Sequence, residues 1–137
     1  MALNSESSAV LTFALLLFAS ACSHPQPQVL TAEGRAYVKN LQLSDVNMQA
    51  SDTLARQTLT EILGNIKNNG DRSVSRVDVT CVFYDANGRP IYQERVGMVR
   101  GTLKPGETRR FRLAFDTIPD GWNNQLPSLH IALVVFG

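Results

Sequence analysis

Few residues in this chain could do chemistry. There are two cysteines, Cys22 and Cys81, and two histidines, His24 and His130. Nucleophilic catalysis needs a thiol or hydroxyl held beside a base. His130 sits in an apolar run with no nucleophile at a defined spacing, so it reads as a packed or edge residue of a strand. His24 lies among Pro and Gln without neighbours at metal-ligand spacing, and reads as solvated linker. Asp85-x-Asn87 opens like a calcium loop. The twelfth position of that pattern must supply a carboxylate, and Val96 stands there, so the segment reads as a turn. Asp45, Asp52 and Asp120 are too scattered to suggest an acid–base pair. The phosphate-binding loop, the serine-hydrolase elbow, H-E-x-x-H and C-x-x-C are all missing. The expectation is a protein that is not an enzyme, with no catalytic residue, no metal, no cofactor and no small-molecule substrate.

One local basic cluster remains, Arg109, Arg110 and Arg112. Arg110 and Arg112 alternate with Phe111 and Leu113, so they share the outward face of one strand. With Arg95, Arg100 and Lys104 they could form a basic stripe. Such a stripe is either a solvated face that discourages edge-to-edge pairing, or a contact for an anionic ligand. Thirteen Lys+Arg against twelve Asp+Glu gives a net charge of +1, which argues against a dedicated nucleic-acid binder. Trp122, in a Pro-Asp-Gly-Trp-Asn-Asn loop, is expected to plug one end of the fold, the alternative being an exposed ligand platform.

The elements that must position these residues begin after a targeting segment. Residues 9–19 read AVLTFALLLFA, the length of a signal-peptide apolar core and short for a membrane span. Ala19-Ser20-Ala21-Cys22 follows. Small residues before a Cys at this place resemble the lipobox of bacterial lipoproteins. The resemblance implies cleavage before Cys22, lipid on its thiol, and a mature chain facing the periplasm from the cell envelope. Ser23, where an Asp would retain the protein in the inner membrane, leans the destination towards the outer membrane. An uncleaved anchor, or a buried apolar helix that ends in an accidental Cys, is the other reading of the same run. The implied division is a signal peptide over 1–21, a Pro/Gln-rich flexible tether over 22–34, and one domain over 35–137. The partners expected are the membrane, through lipid on Cys22, and another envelope protein. If Cys22 carries lipid, Cys81 has no intrachain disulfide partner and packs as a small hydrophobe.

With 137 residues, 44% of them hydrophobic, there is room for one core. From about Arg35 onward the apolar residues recur at period two, the mark of half-buried strands. Val77, Val79, Cys81 and Phe83 point one way, with Asp78 and Thr80 the other. Phe111, Leu113 and Phe115 do the same in their run. Residues 129–135 place four apolar side chains on one face and are mostly apolar on the other, which predicts a central strand or one covered on both sides. Thr58 to Lys67 reads as a strand, although its apolar spacing also suits a helix. Asn68-Asn69-Gly70-Asp71, Asp85-Ala86-Asn87-Gly88 and Lys104-Pro105-Gly106-Glu107 are turn signals. Six or seven strands at this spacing predict an all-β, immunoglobulin-like antiparallel β-sandwich.

Three segments resemble one family. Gly64-Asn65-Ile66-Lys67-Asn68-Asn69-Gly70 is similar to its G-x-V-x-N-x-G strand and turn. VTCVFYDANG, from Val79 to Gly88, resembles its F-x-L-Y-D motif, with Tyr84 and Asp85 matching. Leu103-Lys104-Pro105-Gly106-Glu107 with Phe111 resembles its L-x-P-G-E…F segment. This is the FxLYD domain family of bacterial envelope proteins, and the resemblance runs from about Thr58 to Asp116. It implies an immunoglobulin-like sandwich without catalytic chemistry. The role expected is a protein-interaction or structural module of the envelope, the alternatives being a stress-protective or anionic-ligand-binding lipoprotein and, last, a hydrolase.

Overall fold

A computed structural model describes residues 28–55 and 58–137. The signal segment, Cys22 and His24 lie outside the described residues. A short helix α1 (Ala32–Tyr37) and a 3-10 turn (Val38–Asn40) lead into six strands: β1 (Leu41–Asp52), β2 (Thr58–Asn68), β3 (Val74–Tyr84), β4 (Pro90–Leu103), β5 (Thr108–Phe115) and β6 (Ser128–Phe136). They form two antiparallel three-stranded sheets, in the orders β1-β2-β5 and β4-β3-β6. The chain makes a hairpin within each sheet and crosses between sheets from β2 to β3, β4 to β5 and β5 to β6. That is the arrangement of an immunoglobulin-type sandwich.

The core forms where the two alternating faces meet. Ile62 and Ile66 of β2 and Phe111, Leu113 and Phe115 of β5 line one side; Val77, Val79, Cys81 and Phe83 of β3 line the other. Each of the Val, Ile, Leu and Phe side chains is worth roughly 1.5–3 kcal/mol when fully buried. Phe83 is the hub at one end, with Phe115 edge-on at 5.1 Å and Trp122 edge-on at 5.5 Å.

Polar groups lock the other end. Asn68 is fully buried. Its Nδ2 donates to the carbonyls of Arg72 (2.7 Å) and Leu103 (3.1 Å). Its Oδ1 accepts from Gly70 N–H (3.1 Å) and lies 2.8 Å from the Tyr37 hydroxyl. Its own backbone bonds the β4–β5 turn, at Gly106 N–H and Glu107 O. One side chain therefore ties the helix to both turns at this end. Gly70 must lack a side chain, because a Cβ there would come within 2.1 Å of the Tyr37 oxygen. Gly64 is held to glycine in the same way by the Phe111 ring, 2.6 Å from where its Cβ would lie. The G-x-x-x-N-x-G spacing is thus a packing and hydrogen-bonding device.

Three expectations need correction. The strand expected from Arg35 is helix: Thr31 caps α1, its Oγ1 accepting from Gly34 N–H at 3.0 Å, and Tyr37 and Gly34 are buried. Ordered structure therefore reaches back into the stretch read as tether, at Thr31 to Gly34. β6 is an edge strand, so the central placement fails. Its double-sided apolar character has the second cause, cover on both faces, since adjacent Leu133 and Val134 are both buried. In the β3–β4 hairpin only Gly88 takes a positive φ, +75°, and Asn87 does not. The turn closes instead through Gly88 N–H to Asp85 O (3.0 Å), and the Asp85 carboxylate accepts from Asn87 and Arg89 N–H groups. The Lys104–Glu107 turn is as expected, with Gly106 at φ +79° and Glu107 N–H bonded to Lys104 O.

Candidate functional site: a cationic seam between the sheets

The two sheets meet along one side where edge strand β4 runs beside edge strand β5. A cleft of about 470 Å³ opens on this seam, and four arginines border it: Arg76, Arg95, Arg100 and Arg112. The floor is Asp78, a β3 residue expected on the outward face. It does point outward, yet it is buried, because two guanidinium groups cover it. Arg76 grips it with two bonds of 2.9 and 2.8 Å, and Arg95 holds the same carboxylate at 3.2 Å. Both arginines also reach Gln28, Arg76 to its side chain (3.3 Å) and Arg95 to its carbonyl (2.6 Å). The Asp78 bond is the main reason the Arg76 guanidinium is held even more firmly in its charged form.

Arg100 differs. It is exposed, and no side-chain partner accepts from it among the described residues. Its guanidinium lies across Gly97, where a Cβ would fall 2.8 Å from Nε. Gly97 is the register partner of Asp78, and Arg100 that of Arg76, so two like charges face each other across the β3–β4 ladder. Such a pair is unfavourable unless something offsets it.

Arg112 approaches from the other sheet. It pairs with the buried Glu61 carboxylate, which also accepts from Gln49 at 3.1 Å. These bonds, the arginine's first, hold the Glu61 carboxyl at about 2, well under the usual range.

The sequence-derived trio does not share one face. Arg110 and Arg112 share the outer face of β5, as expected from their alternation. Arg109 points the other way, donating to the carbonyls of Arg100, Gly101 and Thr102 and to Glu107. It ties the two strand edges together. The Glu107 carboxyl is held low by Lys104 N–H first and by Arg109 next. Arg110 stands apart beside Asp45 and Asn65. Arg95 and Arg100, named as possible stripe members, do join Arg112, whereas Lys104 sits at the turn beyond. Arg76 was missed. Its one sequence signal is the Arg-x-Asp spacing in β3, which puts cation and acid on one face.

Other candidates sit elsewhere. Cys81 is fully buried, and burial pushes its thiol up to about 12, away from nucleophilic use. His130 is exposed on β6, 3.2 Å from Ser128 Oγ. Trp122 closes the sandwich end over Phe83, and its Nε1 donates to Gln125 O at 3.2 Å. Its half-buried ring also borders a cleft of about 340 Å³ with Asp116, Asp120 and Asn124. No group of three or more His, Cys, Asp or Glu that could hold a metal occurs among the described residues. No described helix is long and apolar enough to cross a membrane.

No protein-family profile matches the chain, and no curated protein does. Among solved structures, it is similar to a Northeast Structural Genomics Consortium target, SoR45, at 13% identity and TM-score 0.45, over 72% of this chain and 86% of that one. It is also similar to a Bordetella pertussis crystal structure bearing the name ApaA, at 17% identity and TM-score 0.40, over 70% of this chain and 90% of that one.

Proposed function

We propose that this chain is a non-catalytic binding module of the bacterial cell envelope, anchored by lipid on Cys22 and facing the periplasm. Its anchorage rests on the apolar core and Ala-Ser-Ala-Cys of residues 9–22. The binding role rests on one observation. The polar side chains that the sandwich buries brace the frame, whereas cationic side chains with donors to spare gather at the exposed β4–β5 seam. A hydrolase would instead rest on Asp116 and Asp120, and no described side chain orients either of them by a hydrogen bond. The resemblance to the FxLYD family supports the same reading. A protein partner is favoured by β6, whose outer edge has no strand beside it among the described residues.

The test is the anchor. Wild-type cells fed a labelled fatty acid should yield lipidated protein beginning at Cys22. Cys22→Ala should carry no label and accumulate as the uncleaved precursor. A wild-type chain that retains Met1 in mass spectrometry would overturn the proposal.

A further inference from the structure

We infer that the β4–β5 seam is a binding site for a phosphate group, with Arg100 and Arg112 as its ligand-contacting residues and Arg76–Asp78–Arg95 as its rigid base. This deepens the binding reading above and rests on it.

The first argument is charge. Four guanidinium groups surround the cleft against the carboxylates of Asp78 and, behind Arg112, Glu61. Two positive charges are left over, and the Arg76–Arg100 register pairing brings like charges together. A dianion offsets both; a single carboxylate offsets one. The tether cannot serve, since residues 23–27 hold no acid.

The second argument is donor supply. Arg76 and Arg95 each spend their Nε edge on Asp78 and a further N–H on Gln28. Their planes are therefore fixed in advance. Arg100 spends no side-chain donor, and Arg112 spends one nitrogen on Glu61. A guanidinium carries five N–H donors, so both keep most of theirs. They come from different sheets, so a phosphate on the seam can be gripped from two sides by charge-assisted bonds.

The third argument is shape. Gly97 leaves the space over which the Arg100 guanidinium lies. A side chain at this position would force the guanidinium to shift from where it lies.

The phosphate could be free or part of a lipid headgroup, and the test separates these. Full-length protein in neutral detergent is titrated at low ionic strength with inorganic phosphate and with glycerol 3-phosphate. The arginine Nε–H signals are followed by NMR. Saturable shifts are expected at Arg100 and Arg112. Arg100→Gln and Arg112→Gln should each weaken binding by about tenfold, as expected for loss of a charged hydrogen bond. Arg110→Gln and Lys104→Gln should change it by less than about twofold, in keeping with screened charges. Glu61→Gln, which releases Arg112, should strengthen it. Tighter binding of glycerol 3-phosphate than of phosphate identifies a headgroup site, and equal binding identifies free phosphate. Wild-type shifts that do not saturate, or an Arg100→Gln/Arg112→Gln double variant that binds like wild type, overturn the inference. Lipid attachment at Cys22 does not enter this measurement, so the anchor and the site can fail separately.

Discussion

Replacing Asn68 with Ala should be among the most damaging single changes outside the apolar core. Four groups meet this side chain, and they do not suffer equally. The Tyr37 hydroxyl and the Arg72 carbonyl are 2.9 Å apart, so they satisfy each other when the amide is gone. Gly70 N–H and Leu103 O each lose the bond that Asn68 supplied. At about 1–2 kcal/mol for each stranded group, the loss is about 2–4 kcal/mol. That is a large share of the roughly 5–15 kcal/mol that holds a domain folded. The assay is urea unfolding followed by the fluorescence of Trp122, the single tryptophan, packed on Phe83. The midpoint should fall while the slope stays constant, since the surface exposed on unfolding is the same. Tyr37→Phe provides the control. It strands Arg72 N–H, which donates to that oxygen at 3.1 Å, and should cost about 1–2 kcal/mol. Because the two side chains touch, the double variant should depart from additivity by at least about 0.5 kcal/mol. A loss below about 1 kcal/mol for Asn68→Ala, or strict additivity with Tyr37→Phe, would refute the account of Asn68 as the tie between helix and turns.

Two further outcomes follow from titratable groups. Cys81 should resist alkylation in the folded protein and react once urea unfolds it; rapid labelling of the native state would contradict its burial. Its thiol is raised from 9.0 to about 12 in the fold. The folded state therefore holds the proton more tightly, so this stabilisation is complete below 9.0 and is lost as pH climbs towards the folded value. Cys81→Ala should remove that alkaline component from the urea midpoint. Glu61 has the opposite sign. Its carboxyl is lowered from 4.5 to about 2, so its stabilisation is present above 4.5 and is lost as pH falls through that window. Arg112→Gln removes the largest cause of the lowering, so it should shift acid unfolding, read by the same fluorescence, to higher pH. Coincident acid curves for variant and wild type would show that the Glu61–Arg112 pair contributes nothing.

The strands with one buried face were legible because a pleat alternates its side chains. Although Asp78, outward on β3, is buried only because Arg95 of the next strand joins Arg76 over it, Val77, Val79, Cys81 and Phe83 of that strand carry their burial pattern in the order of residues, and so do Phe111 to Phe115. The same is true of the Pro105-Gly106 turn, where one residue sets φ and the next supplies a positive one. Cys81 shared the inward parity of its neighbours, so its burial was legible too. Other features waited on the tertiary structure. Helix α1 has six residues, too few to form without packing, and Tyr37 is buried by groups more than thirty positions away, at Asn68 and Arg72. Bulges in β3 and β4 set which residues of these strands face one another, and a bulge leaves little trace in composition. The charged cluster shows the limit most clearly. Adjacency in sequence joined Arg109, Arg110 and Arg112, but neighbours on a strand point to opposite faces. The cationic seam assembles instead from β3, β4 and β5, across two sheets. Alternation along a strand is a local property of the backbone, whereas which strand edge lies against which is decided only when the sheets pack.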